Sequence, residues 1–352
     1  MKKLLLATAV AALSVSAANA APTVYGKGFL TLDLNTGDTD VVYADNSKES
    51  FDADDRSKLN SNASRIGLKG SEALTANTDL VYQLEYGIDI DAGDAFVDAD
   101  GGRMEKSDQF YSRDTYLGLK NAQYGTLLGG RLSAIDDYVN FANVTQGGVL
   151  GGDVVLASFD APRTNNTFNY FSPNINGMQF MAMYAMDENN NTDTLGRDAF
   201  GVGGKYEAGP MNVGATYIQA GDDLKVARVS GNYAISPVVT LGALYQNTDF
   251  DEGDNENAFT ISGEMATATP WTAYAQGDFV NNVGGADDAE KFRAVVGGKY
   301  AFNAATTGHL YGAYLSTEAN TTDKTGIYYN DDLVKSVEFD GFGIGGGIEY
   351  KF

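Results

Sequence analysis

From Val24 to its last residue, Phe352, the chain alternates apolar and polar residues with a period of two, in pieces of about ten residues, and no other feature narrows the possible folds as much. Between Asp79 and Asp91, Leu80, Tyr82, Leu84, Tyr86, Ile88 and Ile90 fall on one side, with Val81, Gln83, Glu85, Gly87 and Asp89 on the other. The same rule runs through "TVYGKGFLTLDLN", "SRIGLKG", "MQFMAMYAM", "MNVGATYIQA", "VVTLGALYQNT" and "WTAYAQGDFV". It also governs the closing "GFGIGGGIEYKF", where Phe342, Ile344, Gly346, Ile348, Tyr350 and Phe352 share a face. A strand that is apolar to its final residue needs a partner strand beside it.

The connections alternate as well. Tight turns such as "SEALTANT", "NAQ", "SPNING", "EAGP", "ISP" and "TATP" are followed one strand later by longer loops rich in Asp and Asn. Hydrophobic residues make up 43% of the chain, yet after the first twenty positions no apolar run is long enough for a transmembrane helix, so they are spread through short elements. A soluble β-sandwich shares the period. The near absence of helix-period segments, the tyrosines near strand ends and the apolar terminal strand favour a membrane barrel, in which every backbone group in lipid must be paired and the sheet must close. The expected fold is therefore all-β: a transmembrane antiparallel β-barrel of about sixteen strands, with the last strand paired to the first, "VYGKGFLTL".

"MKK", the apolar "LLLATAVAALSVSAA" and "ANA" have the order of a secretory signal peptide, so residues 1–20 are expected to be removed and the mature barrel to start at Ala21. The chain has no cysteine and must hold together without disulfides. With 24 basic against 47 acidic residues, nucleic acid is excluded as a partner and small cations are favoured.

Several stretches resemble the general diffusion porins of Gram-negative outer membranes, and the likeness covers essentially the whole mature chain. "RTNNTFNYFSPNINGMQF" carries it most specifically, through Arg163, Asn166, Thr167, Tyr170, Ser172, Pro173 and Gly177. "VYGKG", "SRIGLKG", "RDTYLGLK", "GTLLGGR" and the final "YKF" follow in the family's order. The resemblance implies a homotrimer in the outer membrane, surrounded by lipid and lipopolysaccharide. It also implies assembly by the barrel-assembly machinery through the C-terminal strand, with Tyr350 and Phe352 closing the barrel.

The resemblance further implies that the third external loop, residues 132–162, folds into the lumen and narrows it. Basic wall residues would face acidic loop residues. The matching wall positions are Lys27, Arg65, Arg113, Arg131 and Arg163, and the loop acids are Asp136, Asp137, Asp153 and Asp160. Alternation independently points Lys27 and Arg65 into water. Arg113 shares parity with Leu117 and Leu119, so it reaches the lumen only if its strand starts after it or carries a bulge. The loop departs from the family at Val149 and Thr145, where carboxylates are usual. Small residues at Gly26, Gly28, Gly343 and Gly345, or the neighbouring positions depending on register, are expected on the outer face, near a subunit seam.

The expected function is a water-filled channel for passive diffusion of small hydrophilic solutes and ions, mildly cation-selective, with a substrate-specific channel as the alternative. No enzyme, cofactor or metal site is expected. His309 is the sole histidine, placed in the lumen or a girdle near the periplasmic end, and none of the Asp-rich loops has EF-hand spacing.

Overall fold

Each alternating piece becomes a strand, and the strands close on themselves. The structure is a computed structural model that describes residues 21–91, 96–97, 103–104, 109–148, 150, 152, 155–186, 198–320, 328–329 and 332–352. The first strands are β1 (Thr23–Tyr43), β2 in two pieces (Lys48–Ser61 and Arg65–Thr75), β3 (Thr78–Ile88) and β4 (Phe110–Asn121). Next come β5 (Gly125–Ser133), β6 (Arg163–Phe171), β7 (Met178–Ala185), β8 (Ala199–Ala208), β9 (Met211–Ala220) and β10 (Leu224–Ser236). The wall ends with β11 (Val239–Asp249), β12 (Glu256–Ala266), β13 (Trp271–Asn281), β14 (Glu290–Ala301), β15 (Thr306–Asn320) and β16 (Asp332–Lys351).

All sixteen wall strands pair antiparallel with their sequence neighbours. β16 returns to β1 in a continuous register from Lys27↔Lys351 to Val42↔Ser336. The backbones of Gly26 and Phe352 exchange both hydrogen bonds, at 2.9 and 3.1 Å, so the last residue completes the ladder. A Cβ on Gly26 would lie 2.3 Å from the Phe352 ring, which explains why glycine stands opposite the terminal aromatic.

The outer surface is apolar. Leu117, Phe180, Val202, Ile261, Val296, Leu310, Phe342, Ile344 and Ile348 are all exposed on it, an extent that a water-soluble protein does not sustain. Aromatic rings border the band on both sides. Register pairs Tyr184↔Phe200, Tyr245↔Phe259, Phe259↔Phe279, Phe279↔Phe292 and Tyr314↔Phe342 form much of one belt. Trp271↔Tyr300 pair in the other, with Phe302, Tyr350 and Phe352 near the same turns. Eight residues separate the belts from Phe292 to Tyr300 and again from Phe342 to Tyr350. That is about 26 Å along a strand and, at a tilt of about 40°, roughly 20 Å of membrane thickness.

Two expectations about the first and last strands need correction. The acidic "DADD" at 52–55, a composition expected of the Asp-rich loops, lies instead within β2, because β1 and β2 stay paired out to Val42↔Lys48. Gly343 and Gly345 face inward rather than outward: added Cβ atoms would meet Asn35 and Leu150, or Asp33 and Tyr311. Phe342 and Ile344 take the outer face, as strict alternation along β16 requires.

Between β5 and β6, the described residues of segment 134–162 lie against inward-facing side chains. A short 3₁₀ turn, Ile135–Val139, packs with Ala134 and Phe159 on Met181, Met183, Ile218 and Val226. The segment then crosses the bore. Phe141 N donates to Ser230 Oγ at 2.9 Å, Val144 N to Gln276 Oε1 at 2.8 Å and Gly148 N to Tyr311 O–H at 2.9 Å. On the way back, Ser158 N donates to Glu256 Oε1 at 2.9 Å. The described part of the segment thus follows β7–β15, meets Asp33 on β1 and Asn60 on β2 at Gly148, and leaves open the part of the bore beside Lys27, Arg65, Arg113 and Arg163.

Candidate pore constriction

Neighbouring strands set a row of cations across the open side. Lys27 on β1 is the register partner of both Arg65 on β2 and Lys351 on β16, so the three lie side by side. Arg113 joins them through a β-bulge: Leu84 faces Thr115 whereas Tyr86 faces Ser112, which leaves one extra residue on β4. That irregularity turns Arg113 inward despite its parity with Leu117 and lets Arg113 and Asp114 both border the bore.

Carboxylates on the same wall hold these cations in place. Arg113 Nε donates to Glu85 at 2.7 Å, Arg65 Nε lies 3.5 Å from the other Glu85 oxygen, and the Tyr25 hydroxyl donates to it at 3.0 Å. Arg163 Nε donates to Asp114 at 2.8 Å, and Ser133 Oγ adds a bond at 3.2 Å. Lys351 Nζ pairs with Glu349 at 2.5 Å. Across the opening stand Asp137, Asp160, Asn140, Asn143 and Gln146 from the loop. Together these groups enclose a polar cavity of about 590 Å³, bordered by five basic and five acidic side chains.

The loop acids differ in state. Asp160 accepts from Arg228 at 2.8 Å and from Val155 N at 3.1 Å, with part of its surface in the bore. Enclosure by protein, with the Asp136 charge beside it, pushes the Asp137 carboxyl up to about 6 against the pull of Arg163. Asp137 still presents exposed surface to the lumen.

A sequence profile described as Gram-negative porin matches residues 7–350. The chain belongs to the Gram-negative porin family. Its place is the outer membrane. An outer membrane porin protein of Bordetella pertussis is 28% identical over 239 residues, spanning 62% of this chain and 60% of that protein. The major outer membrane protein of Pasteurella multocida is 28% identical over 309 residues, 86% of this chain and 80% of that one. A monosaccharide porin of a Halomonas species is 24% identical over the full length of both. Among solved structures, the anion-selective porin from Comamonas acidovorans superposes with a TM-score of 0.61 at 19% identity, covering 94% of this chain and 99% of that one. The trimer form of OmpT from Vibrio cholerae gives 0.64 at 19% identity, with the same coverage. At these identities the structures speak to the fold.

Within this porin, Lys27, Arg65, Arg113 and Arg163 border one cavity with Asp137 and Asp160. Two expected members do not. Arg131 directs Nε to the Ser112 carbonyl at 3.2 Å and Nη1 to Asn165 at 2.6 Å, because it shares the outward parity of the exposed Leu127 while Leu128 and Leu132 take the inward face; the irregularity opposite it adds a residue to β6, not to its own strand. Asp136 is fully buried behind the loop, 3.3 Å from Arg228 and accepting from Ala161 N at 3.0 Å; it fastens the loop rather than facing the bore. Asp153 lies outside the described residues.

Sequence reading missed Glu85, Asp114, Glu349 and Lys351 as bore residues. Glu85, Glu349 and Lys351 sit on the polar side of their strands, so their parity was the available signal. His309 faces inward too: it is buried against Phe29 at 4.6 Å, with Nε2 3.9 Å from Glu349.

Proposed function

We propose that the chain forms a water-filled channel through which small hydrophilic solutes and ions diffuse passively across the outer membrane. The observation that carries this reading is the pairing of an apolar, aromatic-belted exterior with a charged cavity inside the same closed wall. Segment 132–162 narrows the bore. Lys27, Arg65, Arg113 and Arg163 form the wall side of the eyelet, and Asp137 and Asp160 the loop side. Residues 1–20 act as the export signal, and the mature barrel assembles as a homotrimer amid lipid and lipopolysaccharide after delivery to the barrel-assembly machinery by its C-terminal strand.

Size and charge sort the solutes, and no bond is made or broken. Because five basic and five acidic groups border the cavity, the eyelet itself is close to neutral. The balance is then set by the mouth, where an excess of acidic residues across the chain, −23 formally, attracts cations. Two charges about 8 Å apart interact by roughly 0.5 kcal/mol in water and by a few-fold more in a low-dielectric bore, enough to bias permeation without blocking it. Reversal potentials in a KCl gradient across planar bilayers are the test. Potassium permeability above that of chloride is expected, with the preference shrinking at high salt. Chloride preference at all salt concentrations would refute it.

A further inference from the structure

Behind the constriction, a second cavity of about 230 Å³ opens between the loop and β10–β12. Asn140 and Asn143 border both cavities, so the second is a side chamber of the permeation path. Its wall comes from Asn232, Thr240, Gly242, Ser262 and Glu264 at the turn end of their strands, and its loop side includes Phe141 and Val144. At about 30 Å³ per molecule it holds some seven or eight waters, the room of one monosaccharide unit.

The chamber's chemistry contrasts with that of the eyelet. It is lined by amides, hydroxyls and a short apolar patch, and its one carboxylate, Glu264, is neutralised by Lys299 at 2.5 Å. Asn232 is held in place: its amide donates to the Phe141 carbonyl at 3.0 Å and its oxygen accepts from Asn212 at 2.9 Å. Two polar atoms of this lining, Asn140 Oδ1 and Ser262 Oγ, are buried and have no hydrogen-bond partner. Neutral donors and acceptors beside an aromatic ring suit a molecule with hydroxyl edges and an apolar carbon face.

We infer that this chamber is a weak binding subsite for neutral polyhydroxylated solutes of monosaccharide size, occupied after they pass the eyelet. The inference rests on the proposed channel function. Thr240 and Ser262 contribute hydroxyls, Asn140 an amide, and Phe141 and Val144 the apolar contact. Because Asn140 and Asn143 also border the main path, a solute in the chamber reduces the ion current.

The test uses the full-length protein in planar bilayers with D-glucose as probe and a short ethylene glycol oligomer of equal size as control. Glucose is expected to lower the KCl conductance along a saturating curve, whereas the glycol lowers it in proportion to concentration. Ser262→Ala combined with Thr240→Val should raise the half-saturating glucose concentration roughly fivefold or more and leave the glucose-free conductance unchanged. A non-saturating glucose effect, or a curve the variant does not move, overturns the subsite while normal conductance keeps the channel reading intact. Saturation-transfer NMR on the detergent-solubilised protein reads occupancy without transport. Glucose signals that weaken in the variant support the subsite even if conductance fails, and equal signals in both proteins refute it.

Discussion

At the scale of single residues, pairing decides which charges a permeating ion meets. Glu85 pairs with both Arg65 and Arg113, Asp114 with Arg163 and the loop acid Asp160 with Arg228, so these charges act in clusters rather than singly. With its carboxyl pushed up to about 6, Asp137 is mainly ionised at pH 7.5 and mainly neutral at pH 5, so acidification removes a negative charge from the eyelet. The ratio of potassium to chloride permeability should therefore fall by up to about twofold over that range, and Asp137→Asn should start low and respond less to pH. Equal pH responses in both proteins would exclude Asp137 as the source. Arg228 carries a different load, since it is fully buried between Asp136 and Asp160. Arg228→Met leaves Asp136 uncompensated and should cost about 3–5 kcal/mol, lowering the thermal unfolding temperature in detergent. No shift in that temperature would show that the pair is dispensable.

Among elements, the loop depends on a few wall contacts and the barrel on its seam. The Tyr311 hydroxyl donates to Asp33 while accepting from Gly148 N, which ties the tip of the loop to β1 and β15. Tyr311→Phe removes both bonds but keeps the ring, so single-channel records should gain closures and noise with little change in the fully open level. Records as quiet as wild type would mean that the tip is held elsewhere. Deleting Phe352 strips the last pair of the β1–β16 ladder and the ring above Gly26; a lower folded yield on heat-modifiability gels is expected. These elements also show what the sequence makes legible. Strand existence was readable because a wall with lipid on one side and water on the other enforces period two. The bulge at Arg113 was not, because one inserted residue reverses parity locally and leaves no compositional mark. Nor was the burial of Asp136, whose partner Arg228 lies far away in sequence and meets it only after the barrel closes.

For the whole molecule, the claim is that one wall separates lipid from a continuous wet bore. The lack of cysteine makes that claim testable by single thiols introduced one at a time. Lys27 borders the polar cavity, while Leu241 is exposed on the apolar exterior. Conductance recorded in planar bilayers, before and after adding a membrane-impermeant cationic thiol reagent, reads both sides of the wall at once. Lys27→Cys channels should lose current in discrete steps as the reagent reacts inside the bore, and Leu241→Cys channels should conduct unchanged. Current insensitive to the reagent in Lys27→Cys, or blocked in Leu241→Cys, would contradict the assignment of inside and outside on which the channel depends.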